Sequence, residues 1–271
     1  MAPLLRLFRI GNCIMGVVSM FLAIIIAGGL DTLSEWMQII PGAVAVFAFI
    51  IGGNSLNDYL DRDIDKVAHP ERPIPSGQMT PERVRSIAIG AFIISLIAAL
   101  FLDPAGLLIV IVAIALMLSY ELYSKKLGLV GNITIGLLTG MLFLLGGAIV
   151  GDMTRVWLVA LVSALGTMGR EIIKDVQDME GDFDRNTLPK RIGARGASIV
   201  AAFTLLVAVA LTPLPYLLGY FPAPYLAPML VTDAIFIYAA TVQFQNPRNG
   251  QRFAKYGMMM ALLSFFVGGI L

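Results

Sequence analysis

The sequence predicts an all-α integral membrane protein with nine transmembrane helices. Three observations lead to this fold class. First, 58% of the 271 residues are hydrophobic, only 14% are charged and the mean hydropathy is +0.84, whereas a soluble domain carries about 25% charged residues. Second, apolar stretches of about 20 residues, the length that crosses a bilayer as a helix, recur along the chain. Third, nearly all basic residues lie in every second connection between these stretches.

The nine apolar stretches are the predicted spans, and residues 1–271 are interpreted as one transmembrane domain. The fourth and ninth stretches are the shortest. In chain order the predicted spans lie near residues 10–30, 39–57, 84–102, 105–120, 131–151, 157–173, 197–220, 225–242 and 257–271.

The distribution of Lys and Arg predicts the orientation of the chain in a cell membrane. With nine spans, the N-terminus and the connections after the even-numbered spans share one side. That side holds 18 of the 19 Lys and Arg residues, and only Arg155 falls on the other. Since basic residues accumulate on the cytoplasmic side and loops commonly carry function, we expect a multi-pass protein whose functional face is cytoplasmic.

The first acidic segment follows the second predicted span directly. In a helix, Asn57, Asp61 and Asp65 share one face because they are four residues apart. Asn54 and Asp58 lie beside that face. The whole segment reads Asn54-Ser-Leu-Asn57-Asp58-Tyr-Leu-Asp61-Arg-Asp63-Ile-Asp65.

The second acidic segment ends the sixth predicted span and has a similar design. It reads Glu171-Ile-Ile-Lys174-Asp175-Val-Gln-Asp178-Met-Glu180-Gly-Asp182-Phe-Asp184. Glu171, Asp175, Asp178 and Asp182 again recur at helical spacing. Ten of the 18 acidic residues of the chain therefore lie in two short segments on the same predicted side.

Two faces of stacked carboxylates predict a site for divalent cations. Like charges one helical turn apart cost about 0.2–0.5 kcal/mol, and ionised groups close to hydrocarbon cost more. A bound Mg²⁺ ion would relieve both costs, because it prefers oxygen ligands and is commonly held by one or two carboxylates together with substrate phosphates. The alternative is that both segments are solvated loop ends, and their matching design argues against it.

Basic residues near the acidic segments predict that the ligand is phosphorylated. Cationic side chains would neutralise the diphosphate oxygens that Mg²⁺ leaves uncovered. Arg9 and Asn12 open the first span and could face the same cavity. The alternative for each of these residues is an ordinary interfacial or cytoplasmic position. The nearby basic residues are Arg72 in the constrained turn Arg72-Pro73-Ile74-Pro75-Ser76-Gly77, Lys125 and Lys126 in the turn that begins at Tyr120, and Lys174.

Two glycines in the fifth span predict close helix packing and indicate no catalytic or binding role. Gly136 and Gly140 are four residues apart. Small residues at this spacing allow two membrane helices to approach closely.

These motifs resemble those of the UbiA-type intramembrane prenyltransferases. The family's NDxxDxxxD motif matches Asn57 to Asp65, and its Arg-Pro-x-x-Ser-Gly-type turn matches Arg72 to Gly77. Its DxxDxxxD motif matches Asp175 to Asp182, and its tyrosine- and lysine-containing turn is similar to Tyr120 to Lys126. Within the family, residues 170–189 are most similar to the archaeal ether-lipid branch. Members of that branch join geranylgeranyl diphosphate to the free hydroxyl of geranylgeranylglyceryl phosphate.

The resemblance implies a helical bundle around a central cavity with a lateral opening to lipid and two Mg²⁺ ions bridging a diphosphate. It implies a prenyl diphosphate and a membrane-embedded lipid acceptor as partners, and no nucleic acid. The implied metal ligands are Asn57, Asp58, Asp61 and Asp65 for one ion and Asp175, Asp178 and Asp182 for the other, with Asp61, Asp65, Asp178 and Asp182 most directly required for catalysis. Together with the basic residues noted above, the predicted substrate-binding residues are Arg9, Asn12, Arg72, Tyr120, Tyr123, Lys125, Lys126 and Lys174.

Two other functions stay open at this point. A UbiA-type enzyme could instead prenylate an aromatic acceptor such as 4-hydroxybenzoate in quinone synthesis. A cation transporter could also use carboxylates, but transporter sites usually lie near the middle of the bilayer. Here both acidic segments lie at helix ends, and Asp233 is the main mid-span acid.

Overall fold

Nine long helices follow one another along the part of the chain that the structure describes. The structure is a computed structural model that describes residues 3–34, 36–179 and 186–271. Each of the nine helices has at least 17 residues. Their bounds are α1 Ile10–Gly28, α2 Trp36–Leu60, α3 Pro81–Ala99, α4 Pro104–Leu122, α5 Leu129–Val150, α6 Val156–Gln177, α7 Leu188–Leu211, α8 Leu226–Val242 and α9 Pro247–Ile270.

The predicted all-α membrane fold is confirmed. Among the described residues, eight helices are long and apolar enough to cross a membrane, and they include every long helix except α3. The first turn and a half of α3 carries Glu82, Arg83 and Arg85, which shortens its uncharged part. Since each predicted span corresponds to one of the nine helices, the chain is a multi-pass membrane protein.

The ends of several helices differ from the predicted spans, because caps and prolines set the ends whereas hydropathy detects only the apolar middle. Helix α9 begins at Pro247, ahead of the predicted 257, because proline suits the first helical position and Asn246 accepts a hydrogen bond from the Asn249 N–H at 3.0 Å. For α7 the sequence predicts a span over residues 197–220. The helix begins at Leu188, is interrupted at Gly193 (φ 79°) and ends at Leu211, just before Pro213.

The helices pack as two groups joined mainly through α5 and α6. Helices α1 to α5 contact one another in the first group, and α6 to α9 do so in the second. Contacts of α5 with α6, and of α1 with α9, join the groups. The shared core contains the edge-to-face ring pair Phe143 and Phe265, with Ala23 and Val159 beside it. This packing brings the ends of α2, α4 and α6 to the same end of the bundle as the starts of α1, α5 and α7.

The close approach predicted for the fifth span is present between α5 and α6. A β-carbon on Gly136 would lie 2.7 Å from the Ala164 carbonyl oxygen, and one on Gly140 would lie 2.9 Å from the Ala160 carbonyl oxygen. Both contacts involve backbone atoms, so neither can be relieved by rotating a side chain. The glycines are what allow these two helices to touch.

We therefore expect Gly136→Ala to destabilise the protein by about 1–3 kcal/mol, the usual cost of overpacking a core. Gly90→Ala is the matched control, because a β-carbon at Gly90 in α3 would meet no atom within 4 Å. Both variants are heated in detergent, and the folded protein that remains is measured by size-exclusion chromatography to give each melting temperature. Equal melting temperatures for the two variants would contradict the proposed contact.

Candidate active site

The first acidic segment forms a buried carboxylate cluster at the end of α2. Asn57 and Asp58 lie in the last turn of the helix, and Asp65 lies in the short helix Arg62–Ala68 that follows. The chain bends at Asp61, but the Asp61 N–H bonds to the Asn57 carbonyl at 2.9 Å and the Asp65 N–H bonds to the Asp61 carbonyl at 2.8 Å. The helical spacing therefore continues through the bend. Asp58, Asp61 and Asp65 are only 2%, 6% and 3% exposed.

Arg9 pairs with this cluster from the start of α1. Its Nη2 donates to Asp58 Oδ1 at 2.6 Å and to Asn57 Oδ1 at 3.1 Å. Arg9 joins the short helix Pro3–Phe8 to α1 and has φ 48° and ψ 57°. This left-handed conformation is uncommon for a residue with a side chain, and sparsely populated conformations cost about 1–3 kcal/mol. The strained residue is therefore the one whose guanidinium bonds to the carboxylate cluster.

Arg72 pairs with the same carboxylates from the other side. Its Nη1 lies 2.6 Å from Asp65 Oδ2 and 3.5 Å from Asp58 Oδ1. The turn that holds it is constrained, as the sequence predicts, because the Ser76 N–H and hydroxyl both bond to the Arg72 carbonyl, at 3.0 and 2.7 Å. The Met79 N–H closes the turn on the Pro73 carbonyl at 2.9 Å.

Lys125 brings the connection between α4 and α5 into the cluster, together with a residue that the sequence analysis missed. The Lys125 ammonium donates to Asp61 Oδ1 at 2.7 Å and to Glu121 Oε2 at 2.8 Å. Lys125 and Glu121 are 8% and 4% exposed. The spacing of four residues between Glu121 and Lys125 favours an ion pair on a helix and was the available signal for Glu121.

The second acidic segment lies at the end of α6. Asn132, on α5, donates from Nδ2 to Asp175 Oδ2 at 2.8 Å. Asp178 follows the last residue of α6, and Gln177 donates to its Oδ1 at 3.2 Å. Lys174, predicted to bind substrate, has its ammonium 3.6 Å from Glu171 Oε2 and is exposed. Asp182 lies outside the described residues.

The structure does not bring every predicted substrate-binding residue into this network. Tyr123 and Lys126 are exposed on the turn that carries Lys125. Asn12 is exposed in the first turn of α1, where its N–H bonds to the Arg9 carbonyl at 2.7 Å. Tyr120 is partly buried at the end of α4, next to Glu121.

The donor atoms present suit Mg²⁺. The first cluster offers buried carboxylate oxygens, and Asn132 at the second segment has a buried Oδ1 with no hydrogen-bond partner among the described residues. Oxygen atoms of this kind are the ligands that Mg²⁺ prefers. Within the described ranges no three Asp, Glu, His or Cys side chains lie close enough to hold one ion by themselves. Mg²⁺ usually takes its remaining ligands from substrate phosphates and water.

The mid-span acid Asp233 has a local hydrogen-bond partner far from both acidic segments. Thr212 donates to its carboxylate, with oxygen–oxygen distances of 2.9 and 3.1 Å. Tyr225 donates to the Thr212 carbonyl at 2.8 Å. Thr212 follows the last residue of α7, so this contact lies toward the end of the bundle opposite the carboxylate cluster.

Comparison with known proteins gives consistent matches over nearly the whole chain. The model of the UbiA prenyltransferase family matches residues 16–265. Digeranylgeranylglyceryl phosphate synthase of Natronomonas pharaonis is 37% identical, with 98% of this chain and 96% of that protein aligned. The protein of the same name from Methanosphaera stadtmanae is 32% identical over 100% of both chains.

Solved structures agree with these sequence matches. One solved structure comes from work on digeranylgeranylglyceryl phosphate synthase in membranes. It aligns with a TM-score of 0.83 and 32% identity, over 99% of this chain and 98% of that chain. A UbiA homolog from Archaeoglobus fulgidus bound to DMAPP and Mg²⁺ aligns with a TM-score of 0.70 over 97% and 98% of the two chains. At 14% identity, the second match supports the fold alone.

Proposed function

The chain belongs to the UbiA prenyltransferase family, and from this premise we propose that it transfers a geranylgeranyl group from geranylgeranyl diphosphate to the free hydroxyl of geranylgeranylglyceryl phosphate. The observation that carries the proposal is the full-length similarity, at 32% and 37% identity, to proteins named digeranylgeranylglyceryl phosphate synthase. The buried carboxylates and their cationic partners are groups that a reaction on a Mg²⁺-bound diphosphate would use, which supports the proposal.

The two acidic segments are proposed to hold two Mg²⁺ ions. One ion would be held by Asn57, Asp58, Asp61 and Asp65, and the other by Asp175 and Asp178 together with Asp182. The ions would neutralise the negative charge that develops on the departing diphosphate. Asp61, Asp65, Asp178 and Asp182 are the carboxylates on which catalysis is expected to depend most directly.

The basic residues are proposed to bind the phosphate groups of both substrates. Arg9, Arg72 and Lys125 already point at the first carboxylate cluster, with nitrogen–oxygen distances of 2.6 to 2.7 Å. Positive groups fixed in place stabilise charge better than water does, because they need no reorganisation during the reaction. The other proposed substrate contacts are Asn12, Tyr120, Tyr123, Lys126 and Lys174.

The proposed reaction breaks the bond between the allylic carbon and the diphosphate oxygen. Diphosphate leaves with the bonding electrons, and the acceptor hydroxyl oxygen forms an ether bond to that carbon and releases its proton. The buried carboxylates and cations replace bulk water around the departing charge, and the apolar walls keep water away from the allylic cation.

An apolar groove between α1, α2 and α3 offers a place for an isoprenoid chain. Phe8, Val17, Phe47 and Ile94 are among the residues that line it. Phe8 lies at the end of the groove nearest the carboxylate cluster, since the next residue, Arg9, bonds to Asp58. We place the cluster on the cytoplasmic side, because 18 of the 19 Lys and Arg residues share its side of the predicted topology.

The test is product analysis by mass spectrometry with the purified chain in liposomes, Mg²⁺ and geranylgeranyl diphosphate. Geranylgeranylglyceryl phosphate and 4-hydroxybenzoate compete as acceptors. We expect a digeranylgeranyl ether that disappears when EDTA removes the metal and returns when Mg²⁺ is added in excess. A prenylated benzoate in place of the ether would move the enzyme to quinone synthesis, and the absence of both products would overturn the proposal.

A further inference from the structure

Glu121 is one of four side chains that form a hydrogen-bonded ring in the first carboxylate cluster. Its Oε2 accepts from Lys125 Nζ at 2.8 Å and from Asn57 Nδ2 at 3.3 Å. The same two donors also bond to Asp61, Lys125 to Oδ1 at 2.7 Å and Asn57 to Oδ2 at 2.9 Å. Two carboxylates from distant parts of the chain therefore share one ammonium and one amide, and all four side chains are at least partly buried.

The ring determines which atom of Asn57 is available to a cation. Because Glu121 and Asp61 both take hydrogen bonds from the Asn57 amide nitrogen, its Oδ1 must point the other way, toward Arg9 at 3.1 Å. An amide can ligate Mg²⁺ only through its oxygen. With both acceptors present, the flipped amide would place an oxygen against two carboxylates. Glu121 thus helps to hold the Asn57 oxygen on the side of Arg9, where Mg²⁺ would replace the hydrogen bond from the guanidinium.

Glu121 also determines the charge of the cluster. Four carboxylates (Asp58, Asp61, Asp65 and Glu121) face three cations (Arg9, Arg72 and Lys125) through the ion pairs of this region. One negative charge is therefore in excess. Without Glu121 the numbers would be equal, and Lys125 would lose one of its two carboxylate partners. Lys125 would then pair with Asp61 alone, and Asp61 would attract a divalent cation less strongly.

We propose that Glu121 is a positioning residue for the metal: it shares the Lys125 ammonium with Asp61 and fixes the orientation of the Asn57 amide, and Mg²⁺ therefore has less positive charge to displace from Asp61 and meets the oxygen of Asn57 rather than its nitrogen. This inference rests on the proposed function, since the ion is one of the two proposed to bind at the acidic segments. Glu121 itself need not touch the ion or either substrate. Partners of metal ligands commonly have this effect on affinity.

The experiment measures metal affinity separately from turnover. The full chain in detergent is titrated with Mn²⁺ alone, and the concentration of free Mn²⁺ is measured by electron paramagnetic resonance. The half-activating Mg²⁺ concentration is measured in the product assay in parallel. Glu121→Gln removes the charge with little change of shape, and Glu121→Asp restores the charge one carbon shorter. Glu82→Gln is the matched control, because Glu82 is an exposed acid in the first turn of α3.

We expect Glu121→Gln to raise the half-saturating Mn²⁺ and Mg²⁺ concentrations about tenfold, the lower end of the range for lost partners of metal ligands. Glu121→Asp should recover part of this affinity, and turnover of Glu121→Gln should return at saturating Mg²⁺. Glu82→Gln should match the wild type. Unchanged metal affinity in Glu121→Gln, with or without a loss of thermal stability, would overturn the inference. The proposed function would still stand if the wild type makes product.

Discussion

Asp61→Asn is expected to lower turnover about 100- to 1,000-fold, because Asp61 is proposed to hold the Mg²⁺ ion that stabilises the departing diphosphate, and losing such electrostatic stabilisation costs about this much. Asp61 is buried and joins the amide of Asn57 to the ammonium of Lys125. Asparagine has the same shape but lacks the negative charge and one of the two oxygen acceptors. The measurement is prenyl transfer at matched protein level over a range of Mg²⁺ concentrations.

Asp63→Asn provides the control two residues further along the chain. The Asp63 side chain is 67% exposed and accepts a hydrogen bond from Lys66 at 2.7 Å, which holds the pKa of Asp63 below its usual value. Asp63 is therefore ionised at neutral pH, but it lies outside the buried cluster. Surface substitutions usually change free energies by less than about 0.5 kcal/mol, so its turnover should stay within about twofold of wild type. Equal losses in both variants would contradict the special role of Asp61.

The number and order of the helices could be predicted from the sequence, because each span must bury a long apolar stretch in lipid. The ends of the helices could not, since they depend on short-range caps outside the apolar stretch. Asn246 and Pro247 start α9 well before its apolar part, and Pro213 ends α7 where hydropathy continues. A hydropathy pattern contains neither signal.

The first carboxylate cluster could be predicted in part, because helical spacing alone places Asn57, Asp61 and Asp65 on one face. Their partners come from far along the chain. Glu121 bonds to Asn57 across 64 residues, and Asn132 bonds to Asp175 across 43. A single sequence does not indicate which distant amide or carboxylate the packing will bring into contact. This is the reason that Glu121 and Asn132 were missed.

Lys125→Met is expected to have the second large effect, this time on stability as well as turnover. Methionine fills a similar volume but leaves the buried carboxylates of Asp61 and Glu121 without their shared cation. Removing one partner of a buried ion pair costs about 3–5 kcal/mol. For a chain of this size that corresponds to a fall of about 10 °C in the apparent melting temperature. Thermal unfolding in detergent and the product assay measure the two effects.

The double variant Lys125→Met/Glu121→Gln distinguishes charge from packing. Glutamine removes one of the two uncompensated carboxylates, and its amide can donate to the other. If the loss in Lys125→Met is electrostatic, the double variant should be more stable than Lys125→Met alone, by a coupling energy of about 0.5–3 kcal/mol. Turnover should stay low in both, because the ammonium proposed to meet the diphosphate is absent. If the two substitutions instead destabilise additively, Lys125 acts through its packing, and the ring of Glu121, Lys125, Asp61 and Asn57 is not the unit that holds this end of the bundle together.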